Sequence, residues 1–276
     1  MRKLIKENKK VLLSIVGLII LLFYLFPAIW MVSSSFKSLS ETLSFPPTII
    51  PNNIQVDSFI RVLNSGVLRF MFNSLVIATA TTILTVTFGA LAGYSLSRVK
   101  SKWVNWILLI FLIAQMLPEV LMVTPLFIIF SDMGIMNTTL AVILGKTAVS
   151  LPLAVIMLRT TFLAMPRSLE EAAWIDGCTR IGAVFKILFP MAKTGILVIA
   201  AMTFMFSYGD FIFSLSFLND LSRQTVTVGL YTFIGADVTR WNNVMAFATI
   251  ISLPLIAMFI ALQSKIIQGM TDGAFK

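Results

Sequence analysis

Few side chains in this chain are equipped for chemistry. The sequence has no histidine and one cysteine, Cys178, which excludes histidine acid–base catalysis, histidine-ligated metal and an internal disulfide. Three ionisable residues, Glu119, Lys146 and Asp210, stand inside long apolar runs. Charges in such runs are costly in a bilayer and face either a helix-bundle interior or an aqueous path. Glu119 and Lys146 are placed to pair across neighbouring helices, as a structural salt bridge or as part of a solute pathway. Gly145-Lys146-Thr147 imitates the end of a phosphate-binding loop. Leu140 occupies the place of that motif's first glycine, and no strand precedes it. The chain is therefore expected not to hydrolyse ATP itself and, without histidine or a clustered carboxylate or Cys/Ser constellation in its apolar runs, to carry no catalytic residue.

The other conspicuous stretch is Glu170 to Pro190, EEAAWIDGCTRIGAVFKILFP, a polar island between apolar segments. Its charges require it to lie at a water interface. The spacing predicts helix–turn–helix. Ser168 is expected as N-cap with Glu171 reaching back from the third helical position. Gly177 is expected as the left-handed residue that ends the first helix. A second helix is expected from near Thr179 to Pro190. Glu171 could serve the cap, a partner surface, or both.

The elements that must hold these residues are membrane spans. Of 276 residues, 58% are hydrophobic and 12% charged, against about a quarter charged in soluble chains. Charge-free runs exceed the ~20 residues a spanning helix needs. Six spans are predicted at 11–33, 70–97, 103–130, 139–158, 194–218 and 241–264, the third broken by Pro118 and Pro125. The first is read as a retained span, being too long for a cleaved signal and lacking its small-residue site. Segments 34–69, 131–138 and 219–240 are then outer loops, with a short helix near Asp57–Asn64. Residues 1–10, the loop 166–190 and the tail 265–276 are cytoplasmic. Fifteen of the 21 Lys and Arg residues fall inside and five outside, as the positive-inside rule requires. This distribution accounts for the net charge of +9 without any nucleic-acid partner. On the second span, Gly89 and Gly93 form a GxxxG pair suited to close helix packing.

Glu171-Ala172-Ala173, then Gly177, then Ile187 and Pro190 resemble the cytoplasmic EAA loop of ABC importer membrane subunits, with Phe189 in place of the family's leucine. Ser35-Phe36-Lys37, Phe45-Pro46-Pro47, Asn73-Ser74, Tyr94 to Arg98, Gly134 with Asn137-Thr138, and the ending Gln268 to Lys276 are similar to carbohydrate-type permeases of the maltose-transporter class. Lys193 departs from the family by replacing a second proline. The resemblance implies an all-α membrane protein of six transmembrane helices with the type I importer fold, a five-helix core (70–264) plus one N-terminal helix. It implies a bacterial cell-membrane subunit paired with a second permease, served by an extracytoplasmic solute-binding protein and a cytoplasmic ATPase dimer. ATP and magnesium would sit on that ATPase, leaving this chain without a cofactor.

By the same resemblance Glu171, Ala172, Ala173, Asp176 and Gly177 couple to the ATPase, and Gly273, Ala274, Phe275 and Lys276 contact it from the tail. Tyr208-Gly209-Asp210-Phe211 resembles the family's Trp-Asn-Glu-Phe segment, whereas Glu119 and Lys146 depart from apolar residues. A sugar or oligosaccharide is the implied solute. A polyamine or phosphate ester carried by the same machinery is the alternative. A stand-alone secondary transporter is a further one, and the inverted repeats that would favour it are not found.

Overall fold

In lipid the backbone must satisfy its own hydrogen bonds, which an apolar chain achieves as helix. The computed structural model describes residues 2–235 and 240–274, with side chains placed for 12–234 and 240–263, and among these all regular structure is helical. Four helices are long and apolar enough to cross a membrane: α1 (Arg2–Ser35), α4 (Val67–Arg98), α7 (Thr139–Leu163) and α14 (Trp241–Ala274). Two bent pairs raise the number of spans to as many as six.

The first bent pair is α5 (Lys102–Met116) and α6 (Glu119–Asp132), which meet at 102°. The break falls at Leu117-Pro118, where extended backbone replaces helix. Pro125, expected as a second break, instead lies inside α6. The predicted fifth span is likewise not one continuous helix. Its first part, α11 (Lys193–Tyr208), ends at Gly209, and α12 (Ile212–Phe217) follows after a short irregular stretch. The predicted outer loop after it contains a 3₁₀ turn at Leu221–Arg223 and α13 (Val226–Gly235). Helix α14 continues through Gly273 to Ala274, so much of the expected tail is helical backbone.

The chain divides into two units, residues 1–67 with 230–252, and residues 68–229 with 253–276. In the first unit, α2 (Leu39–Thr42) and α3 (Asp57–Asn64) lie in an ordered loop after α1. Lys37 is buried there, with its ammonium 4.6 Å from the Trp30 ring and bonded to the Thr48 carbonyl. The Asn242 amide donates to the Lys37 carbonyl at 3.2 Å.

In the second unit, α4 and α7 pack closely because glycine faces α7. A methyl added at Gly93 would lie 2.9 Å from the Arg159 nitrogen, and one at Gly89 would lie 3.0 Å from Ala154 Cβ. One buried cluster gathers Ile77, Val142, Phe213 and Phe217; another gathers Ala90, Leu158, Phe162 and Leu188. The Asn73 amide donates to the carbonyls of Ser222 and Gln224 at 3.0 and 2.9 Å. The Asn137 side chain, on a residue with φ +59°, accepts from the amides of Asn219 and Asp220 at 3.0 and 3.1 Å. These bonds fix the segment joining α12 to α13.

Candidate functional site

Two constructions in the second unit hold the residues singled out by sequence. The first is a knob. Helix α8 (Ser168–Ile175) starts one residue earlier than a Ser168 cap would allow. Arg167 already has helical dihedrals of −65° and −26°, and its carbonyl accepts from the Glu170 and Glu171 amides at 3.0 and 3.2 Å. Ser168 therefore lies within the first turn, and no side chain caps this helix. The far end forms as predicted. Gly177 has φ +84°, its amide donates to the Trp174 carbonyl at 3.1 Å, and the Cys178 amide donates to the Ala173 carbonyl at 2.9 Å. This is the Schellman closure, which glycine enters without a Cβ clash.

The second arm begins at Thr179, whose hydroxyl accepts from the Gly182 amide at 3.0 Å. Helix α9 (Arg180–Ala183) widens into a π turn over Val184–Leu188 and continues as α10 (Phe189–Met191). Pro190 would oppose the carbonyl four residues back in a regular helix, and the wider turn just before it accommodates the ring. The chain then bends by 74° into α11, so the break forms with Lys193 in place of a second proline.

Of the five expected coupling residues, Glu171, Ala172, Asp176 and Gly177 are exposed, and Ala173 is buried. The reason is helical spacing: Ala173 lies three residues after Glu170, on the same inward face. Of the two alanines, Ala172 alone offers its surface to a partner. Ile175, 86% exposed, shares the outward surface and was not singled out from sequence.

Glu170 is the residue that sequence reasoning missed. Its carboxylate takes the Arg98 guanidinium on one oxygen and the Tyr94 hydroxyl, at 2.9 Å, on the other. Arg98 also donates to the Phe162 carbonyl at 3.0 Å, and Arg167 donates to the Arg98 carbonyl at 2.7 Å. The C-terminal end of α4 thus grips both arms of the α7–α8 corner. Adjacent residues on a helix point about 100° apart, so the pair Glu170-Glu171 by itself does not show which one turns toward the protein.

The second construction joins all three charges that stand inside the apolar runs. Lys146 on α7 places its ammonium 3.0 and 2.8 Å from the two Glu119 oxygens and 3.6 Å from Asp210. The expected pair is a triad. Asp210 also accepts from the Ser214 amide at 2.9 Å and hydroxyl at 2.8 Å, across the break between α11 and α12. Side-chain exposure is 5% for Lys146, 2% for Asp210 and 38% for Glu119. Glu119 opens onto a cavity of about 230 Å³. Of the expected tail contacts, Gly273 and Ala274 end α14, while Phe275 and Lys276 lie outside the described residues.

Comparison with known proteins places these features in context. Residues 85–272 match the family described as binding-protein-dependent transport system inner membrane component. A sulfoquinovosyl glycerol transport system permease protein of Agrobacterium fabrum is 32% identical over 268 residues, 97% of this chain and 94% of that protein. A trehalose/maltose transport system permease protein of Thermococcus litoralis is 33% identical over 272 residues, 97% of each chain. Among solved structures, a bacterial ABC transporter involved in import of the acidic polysaccharide alginate matches with a TM-score of 0.80. It covers 94% of this chain and 96% of that one at 18% identity, which bears on the fold alone.

Proposed function

Because the chain belongs to the inner-membrane components of binding-protein-dependent transport systems, a multi-pass membrane family, we propose that it is the permease subunit of an ATP-driven importer of a sugar or oligosaccharide. The observation that carries the mechanism is the rooted knob. Glu171, Ala172, Asp176 and Gly177 stand exposed on a short helix whose opposite face is ion-paired, through Glu170, to the end of α4. A knob fixed at its root passes a displacement to the helices behind it, where a loose loop would absorb it. A separate ATPase holds ATP and magnesium, and its movement enters this chain at the knob. A second permease completes the path, and an extracytoplasmic binding protein delivers solute. The knob and both termini face the cytoplasm, and the tail Gly273 to Lys276 adds a further ATPase contact.

The sugar assignment draws on the solutes named for the two relatives; nothing in the site favours a polyamine or phosphate ester. The test is to carry Glu171→Ala and Gly177→Val separately in the assembled importer. Each variant is expected to insert in the membrane, to lose the ATPase on purification, and to import solute at about a tenth of the normal rate or less. Normal uptake by both would overturn the coupling role.

A further inference from the structure

The charge triad has a second face, toward the cavity that Glu119 borders. The cavity lies in the second unit, with Gln115, Ser150, Thr203 and Phe206 also in its wall and Leu153 and Met202 completing an apolar side. Its wall comes from α7 and from two interrupted helices, α5–α6 broken at Leu117-Pro118 and α11, which breaks at Gly209 to Phe211 before α12. Broken helices at membrane depth are tolerated where they line a cavity, and transporters place solute sites there.

The chemistry of the wall specifies the ligand. Both Glu119 oxygens are within 3.0 Å of Lys146, which Asp210 shares at 3.6 Å, so the carboxylate nearest the cavity is ion-paired while its remaining lone pairs still accept. The Gln115 Nε2 gives one hydrogen to the Val149 carbonyl at 2.9 Å, which leaves the amide oxygen as an acceptor and one N–H as a donor. Ser150 and Thr203 add hydroxyls that donate or accept. None of the described wall residues is cationic, since Lys146 lies behind Glu119 and is held by two carboxylates. An acceptor-rich wall without a cation suits a ligand with many O–H donors and no negative charge. Phe206 and the aliphatic side chains supply a surface for C–H groups. At about 230 Å³ the space is below the ~300–1,000 Å³ of pockets that enclose drug-sized ligands, and fits a single ring.

Resting on the importer reading above, we infer that this cavity is a subsite on the solute path that holds one neutral, polyhydroxylated ring, with Glu119 as its positioned acceptor and Lys146 excluded from direct contact. Membranes containing the whole importer test this, with this chain carrying Cys178→Ser and Ser150→Cys and its maleimide labelling read by mass. The probes are millimolar neutral mono- and disaccharides, a sugar phosphate and spermidine. Neutral sugars are expected to slow labelling at least fivefold, and the charged probes to leave it unchanged. Protection by a charged probe instead, protection by none, or a thiol that never reacts would each overturn the subsite. Thr203→Val, which touches no ion pair, is expected to weaken the protecting sugar at least tenfold; unchanged protection would count against the site. ATPase retention in the same membranes separates the two ideas. Lost protection with the ATPase attached defeats the cavity, and retained protection with the ATPase lost defeats the knob.

Discussion

Lys146 is shared by Glu119 and Asp210, which makes the triad asymmetric. Removing Lys146 strands two carboxylates, one of them 2% exposed, whereas removing Glu119 leaves Lys146 with Asp210. Breaking a buried ion pair by deleting one partner costs roughly 3–5 kcal/mol. Lys146→Met is therefore expected to fall in that range by thermal unfolding in detergent, and Glu119→Gln to cost less than half as much. Combining the two should recover part of the loss; simple additivity would contradict the coupling. The two glutamates of the knob should also separate. Glu170→Ala is expected to destabilise the protein by up to roughly 3 kcal/mol by leaving Arg98, 14% exposed, without its counter-ion. Glu171→Ala, at an exposed position, should leave the unfolding temperature within error while affecting the ATPase. A charge in an apolar run is visible in sequence, so Glu119, Lys146 and Asp210 could be found there. Which glutamate of Glu170-Glu171 turns inward depends on Arg98 and Tyr94, far away in the chain, and no local pattern carries that information.

Helix boundaries show the same division between local and distant causes. Gly177 and Thr179 act through bonds within a few residues, and both ends form where expected. The Ser168 cap fails because Pro166 and Arg167 already begin the turn. The fifth span is interrupted at Gly209 to Phe211, where the Asp210 side chain accepts from Ser214 at the start of α12. Close packing of α4 was readable from the GxxxG spacing, and the geometry adds its partner, α7, and a magnitude. Gly93→Ala places a methyl 2.9 Å from backbone, which cannot swing aside, and overpacking of this kind costs about 1–3 kcal/mol. Gly17→Ala on α1 meets nothing within 4 Å and should change stability by less than ~1 kcal/mol, in the stabilising direction. Equal unfolding temperatures for the two variants would refute tight packing between α4 and α7.

At the scale of the molecule, apolar helices differ in what covers them. In the most apolar window of α7, 44% of residues are buried, and in that of α1 none are. Hydropathy alone cannot make this distinction, because lipid tails and protein cores favour the same side chains. Leu158→Ala, at a fully buried position of α7, should cost about 2–5 kcal/mol. Ile19→Ala, at a position 61% exposed on α1, should stay within about 0.5 kcal/mol. Thermal unfolding of both in one detergent checks the contrast, and similar losses would mean that α1 is packed in the isolated chain.

The bonds from Tyr94 and Arg98 to Glu170 have a genetic consequence. On the coupling proposed above, a screen for strains that keep the protein in the membrane but fail to accumulate solute would return lesions at 94 and 98 alongside those at 170–177, although the first two positions lie on a different helix. Second-site revertants of a knob defect should arise near the end of α4 for the same reason.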